Sequence, residues 1–109
     1  LPFNIFGSVT TSAVDVIDVP ADKLYKVNTI IISNIDGTNS ANITIGVSRN
    51  NGSTYYNLAS TVAVPADSSL VVIDKNSSIY LDETDLLRVT ASANSDLEYV
   101  VSGEILDDA

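Results

Sequence analysis

LYKVNTIIISNI, residues 24–35, is the longest β-branched run in the chain, and its reading decides the fold class. Side chains alternate across a strand, so Leu24, Lys26, Asn28, Ile30 and Ile32 share one face, and Tyr25, Val27, Thr29, Ile31 and Ser33 the other. The run is mixed at its start and apolar on both faces from Ile30 to Ile32. That pattern belongs to the interior of a sheet covered on both sides, or to an interface.

Working outward, Ala13–Val19 (AVDVIDV) is strand-like with a phase slip at Val16 and Ile17 that a bulge accommodates. Pro20, Ala21 and Asp22 make the turn into the central strand. Beyond it, Asp36–Ala41 is a loop, and Asn42–Ser48 alternates, with Ile43, Ile45 and Val47 inward and Thr44, Gly46 and Ser48 outward. Asn50, Asn51 and Gly52 predict a hairpin returning over Thr54–Ala59, because Asn-Gly supplies positive φ at low cost. Val-Pro-Ala-Asp at 19–22 recurs at 64–67 and reads as one turn used twice rather than a duplication. Strands follow at Ser69–Ile73 and Ile79–Leu81, then a last hairpin in which Leu87, Val89 and Ala91 oppose Leu97, Tyr99 and Val101. Asp82–Leu87 admits one helical turn or a plain β-turn.

These segments predict an all-β fold: an antiparallel β-sandwich, jelly-roll-like, of seven to nine short strands with almost no helix. The sandwich occupies residues 13–105, after an N-terminal arm or edge strand over 1–12 and before a frayed acidic tail over 106–109. Ile30, Ile32, Ile43, Ile45, Val47, Val72, Leu87, Val89, Leu97 and Val101 are expected in its core.

The arm holds Phe3, Ile5 and Phe6, including both phenylalanines of the protein. It is either a first strand at the sheet edge or an apolar arm packed on a neighbouring subunit. On the second reading Phe3, Ile5 and Phe6 are interface residues, and Leu1–Phe6 is removable without unfolding the sandwich.

Composition excludes more chemistry than it suggests. The 109 residues carry 14 acidic and 5 basic side chains, a net charge of −9, so nucleic acid and anionic membrane surfaces are not expected partners. There is no cysteine and no histidine, which removes disulfides, thiolate sites, the usual general base and the commonest transition-metal ligand. No apolar run approaches the roughly 20 residues that span a bilayer. Asp82, Glu83 and Asp85 resemble a calcium-binding group of hard oxygens, but without an EF-hand pattern the simpler reading is a solvated turn. Nothing in the spacing selects Asp36 and Asp74 as an acid–base pair. Glycosylation triplets begin at Asn42, Asn51 and Asn76, as chance allows in a chain so rich in Asn, Ser and Thr. Tyr55 and Tyr56 are adjacent, so they face opposite sides and form no paired sugar platform. No catalytic, cofactor-binding or metal-ligating residue is assigned, no cofactor is expected, and the chain does not read as an enzyme.

From about Val16 to Glu104 the order of features resembles small β-rich virion structural proteins of tailed bacteriophages, including those of cyanophages. The stretches that carry it are VPADK (19–23), TIIISN (29–34), YYNL (55–58), VPADSSL (64–70) and IYLDETDLLRVTAS (79–92). The resemblance implies a capsid decoration, or cement, protein made in the host cytoplasm and located on the capsid surface. It further implies a homotrimer that binds the major capsid protein or another virion protein and stabilises the shell. The alternative is a tail-fibre or tail module, or a carbohydrate-binding sandwich that recognises a receptor.

Overall fold

The structure is a computed structural model and describes residues 1–49 and 52–107. Its strands are β1 (Pro2–Val9), β2 (Val14–Asp18), β3 (Lys23–Asn34), β4 (Ala41–Arg49), β5 (Thr54–Val64), β6 (Ser69–Ile73), β7 (Ile79–Leu81), β8 (Leu86–Ala91) and β9 (Leu97–Asp107). All pair antiparallel, and the pairs are nested: β1 with β9, β2 with β8, β3 with β6, and β4 with β5. That is one long ribbon folded back on itself. The ribbon then rolls up, because β9 also pairs with β3, and β8 with β4. The result is a jelly roll with sheets ordered β1-β9-β3-β6 and β2-β8-β4-β5. β7 extends the first sheet by pairing with Tyr25–Val27, the half of β3 that β6 does not reach.

β3 lies inside its sheet, as its sequence requires, with Val27, Ile30 and Ile32 fully buried against Ile43, Ile45, Leu87, Leu97 and Val101. Pro2–Val9 is an edge strand, hydrogen-bonded to β9 from Pro2↔Glu104 to Val9↔Leu97. Residues 106 and 107 are not frayed: Leu106 pairs with Leu24, and Asp107 pairs with Lys23, whose ammonium it also meets at 2.5 Å. Residues 108 and 109 lie outside the described residues, as do Asn50 and Asn51 of the predicted hairpin turn; Gly52 there has φ 91°. Both Val-Pro-Ala-Asp copies form the same turn, with Asp22 at φ 64° and Asp67 at φ 58°. Aspartate is among the few non-glycine residues that visit this left-handed region routinely.

Bulges account for the departures from simple alternation. The slip at Val16 is present between Asp15 and Ile17. In β6 the register jumps from Ile31↔Val71 to Ile30↔Ile73, so Ile73 takes the buried position expected of Val72, which is only half-buried. Val47 is also half-buried; it does face inward but lies towards the open hairpin end, opposite the exposed Tyr56. Gly46 and Ser48 face outward as expected yet are buried, because Tyr55 and Asn57 fold over Gly46 on that outer face. β5 does not stop at Ala59. A bulge with Thr61 at φ 47° carries it on to Val64, and the Thr61 amide donates to Thr44 Oγ1 at 3.0 Å. Among the described residues the helical content is one 3-10 turn at Lys75–Ser77, capped by Asp74, whereas Asp82–Asp85 is a β-turn closed by Asp85 N donating to Asp82 O at 3.0 Å.

Candidate interaction surfaces

The outer face of the first sheet carries a feature that only register creates. Phe6 pairs with Val100, Val100 with Ile31, and Ile31 with Val71, so four apolar side chains form a straight row across β1, β9, β3 and β6. Phe6 is 72% exposed, Val71 55% and Val100 41%, with Ile31 half-buried between its neighbours. The rows on either side are polar: Ser8, Glu98, Ser33 and Ser69 on one, Asn4, Ser102 and Thr29 on the other. A shallow open depression of about 330 Å³ lies beside Phe6 and Val100, bordered by Ser8 and Glu98. An apolar stripe rimmed by polar groups is the anatomy of an interaction surface.

The loop end of the sandwich has the opposite character. Here the β1–β2, β3–β4, β5–β6 and β8–β9 loops meet, joined by Asp67 N donating to Asp36 O, Ile35 N to Asp96 O, and Thr11 N to Asn94 Oδ1. These loops carry Asp36, Asp67 and Asp96 and contain no lysine or arginine. Buried Asn34 fixes their shape: its amide donates to Asn39 O at 3.0 Å and Val64 O at 2.8 Å, and its oxygen accepts from Asp36 N at 2.8 Å. The Asp36 carboxylate accepts from the amides of Thr38 and Asn39, which hold its pKa below the ordinary value. Desolvation first, and the charge of Asp36 second, push the Asp96 carboxyl the other way.

The residues singled out in the sequence fall as follows. Phe3 and Ile5 point inward and pack on the core, Phe3 with its ring 5.2 Å from that of Tyr25. Phe6 alone of the three faces outward, so they do not form one apolar arm. Removing Leu1–Phe6 also strips the edge from β9, which argues against a clean truncation. Asp82, Glu83 and Asp85 do not converge: Asp82 Oδ1 accepts from Glu83 N, Glu83 Oε2 from Asp22 N, and Asp85 Oδ2 from Asp82 N. Among the described residues no group of three or more acidic side chains is placed to hold a metal ion. Asp85 is buried rather than solvated. Asp36 and Asp74 each cap their own loop. Asn42 lies on β4, and Asn76 on the exposed 3-10 turn. Tyr55 leans on its own sheet, and Tyr56 stands out beside Arg49, Ser53 and Thr54. The apolar row went unseen in the sequence because its members come from four strands, and no local signal links them.

The chain matches no family model, and no curated protein matches it in sequence. Its fold is similar to that of a protein from the disulfide-linked pili that form Bacillus endospore appendages, at 15% identity and a TM-score of 0.56 over 99% of this chain and 86% of that one. A pentameric capsid protein from metagenomic phage sequences aligns at 20% identity and a TM-score of 0.45, over 95% of this chain and 62% of that one. The first likeness extends to the fold alone: this sequence has no cysteine with which to form the disulfides that name those pili.

Proposed function

We propose that this chain is a non-enzymatic structural protein of a phage virion that docks on the capsid shell as a decoration protein and works as a homo-oligomer. The observation that carries this reading is the division of its surface. One sheet face is apolar along a row and nearly free of net charge, while the loop end is acidic without a cation. A protein that associates through one surface and docks through another needs two patches of different chemistry. The acidic end suits a basic patch on the shell, reached quickly through long-range attraction and weakened by salt. The resemblance noted above supplies the virion setting.

Mass spectrometry of heads and tails separated from purified particles tests the placement. Many copies in the head fraction are expected, with release from the shell at high salt. Recovery with tails favours the tail-module reading, and absence from particles overturns both.

A further inference from the structure

The apolar row lies on a face with few charges. Of the chain's 14 carboxylates only Glu98 and Glu104 belong to the rows from Ser8 to Pro2 that cross it, and Lys26 lies beside Glu104. Two chains of −9 repel each other overall, and this face brings few of those charges to the contact. Its order is also self-complementary. Across the sheet the row runs Phe6, Val100, Ile31, Val71, so that reversing it sets a larger side chain against a smaller one at every position, and the row nearer the chain termini places Glu104 on β9 beside Lys26 on β3.

We propose that a second copy of this chain covers the row, the two outer faces packing on a two-fold axis that runs along the strands and passes between β9 and β3. Such an axis keeps each row at its own height and reverses its order. Phe6 then meets Val71 of the second copy, Val100 meets Ile31, and Glu104 meets Lys26, each contact made twice as an isologous interface requires. Twisted sheets pack face to face with strands nearly aligned, so the arrangement is an ordinary one for β proteins. Four strands about 4.8 Å apart and up to roughly 35 Å long project a face on the order of 600 Å², and its corrugation brings it near the roughly 800 Å² per partner of a standard interface.

The test is the mass of the intact chain in solution by sedimentation equilibrium. A dimer is expected, its dissociation constant raised at least about tenfold by Phe6→Ser or Val71→Thr, both outward-facing changes that leave the core intact. Charge reversal supplies the decisive arm, read by native mass spectrometry with the fold followed by circular dichroism. Lys26→Glu alone and Glu104→Lys alone each weaken self-association, because each dimer then opposes like charges. Mixed together, the two variants form a heterodimer in which both cross-interface pairs are again complementary, an outcome that the neighbouring Lys26 and Glu104 of a single chain do not produce. A monomer, a trimer, or single variants that self-associate undiminished and show no preference for each other overturn the proposal. It rests on reading the chain as an assembling subunit, yet it fails separately: a monomer found on purified capsids overturns the pair and leaves the decoration reading standing.

Discussion

The Arg88 guanidinium lies over the Tyr55 ring, its Cζ 3.7 Å from the ring centroid, while the Tyr55 hydroxyl donates to Asp15 Oδ1 at 2.9 Å. Arg88 is the register partner of Asp15 on one side and of Gly46 on the other, so it passes over the glycine to reach the ring. Its Nε sits 3.4 Å from Asp15 Oδ1 as an ion pair without hydrogen-bond geometry. The three side chains tie β2, β8 and β5 together on the outer face of the second sheet.

Tyr55→Phe keeps the stack and loses only the hydroxyl, so we expect a loss of about 1 kcal/mol in chemical denaturation. Arg88→Ala removes both the stack and the ion pair and should cost about 1–2 kcal/mol. Because the two share Asp15, the double variant should lose less than the sum. Strict additivity in that cycle shows that the three groups are independent decorations of the sheet.

Gly103 is fixed by a neighbour, not by its own backbone angle. The bulge at Asn28 drives the Lys26 carbonyl against it, and a Cβ there would overlap that carbonyl, with Phe3 close behind. Gly103→Ala should therefore destabilise the protein by at least about 2–3 kcal/mol, since backbone rather than a flexible side chain has to move. Gly37→Ala is the matched control: its added methyl meets nothing nearer than Asp67 Oδ2 at 3.7 Å. Its midpoint should stay within about 0.5 kcal/mol of the parent. Equal effects at the two positions contradict this account of the bulge.

What the sequence made legible, and what it hid, follows from the range of the interactions involved. Alternation and turn chemistry are local, so the strands, the repeated Val-Pro-Ala-Asp turn and the slip at Val16 were readable, but the expected hairpin of Leu86–Ala91 with Leu97–Val101 does not form, because β8 pairs with β2 and β4 and β9 with β1 and β3 in the other sheet. A bulge such as that at Val72 is set by what the partner strand offers, here Ile30 and Ile31, and leaves no mark in Ser69–Ile73 itself. Ser60 and Thr61 looked like the end of a strand because their composition suits a turn; the Thr44 hydroxyl on the neighbouring strand carries β5 through them. The N-terminus was ambiguous for the same reason. Phe3, Ile5 and Phe6 are apolar on both faces, and only pairing with β9 divides them into two core residues and one surface residue. The candidate interaction row is the extreme case, one residue from each of four strands.

Asp85 shows how a carboxylate that resembles a metal ligand can be wholly structural. It is 5% exposed, its Oδ2 accepts from Asp82 N at 2.9 Å, and Arg49 Nε approaches Oδ1 to 3.7 Å. Asp85→Ala strands a half-buried amide, losing the hydrogen bond that Asp85 makes from inside the fold, and should cost about 1–3 kcal/mol, whereas Glu83→Ala, on the exposed side of the turn, should cost less. Adding millimolar calcium should leave the melting temperature of the parent unchanged. A calcium-dependent rise abolished by Asp85→Ala shows instead that the turn binds the ion.

Asp36 and Asp96 give the loop end a pH dependence of two opposing signs. Asp36 has its pKa lowered from 3.8 by the amides of Thr38 and Asn39, so its charged form favours the fold. Its contribution is present above the unfolded value and is lost as pH falls through the depressed folded value. Asp96 has its pKa raised from 3.8, by desolvation and then by Asp36, so its charged form opposes the fold. Its contribution is present below the unfolded value and is lost as pH rises through the raised folded value. Asp96→Asn should therefore raise the melting temperature at about pH 7, where the native carboxylate is charged, and the gain should vanish at about pH 3, where it is already protonated. Asp36→Asn should do the reverse at neutral pH, lowering the melting temperature by leaving two loop amides with a weaker acceptor. Calorimetric scans of both variants at the two pH values decide the matter. A fall in melting temperature for Asp96→Asn at neutral pH, or a gain that persists undiminished in acid, shows that the two carboxyl groups do not oppose each other across the loops.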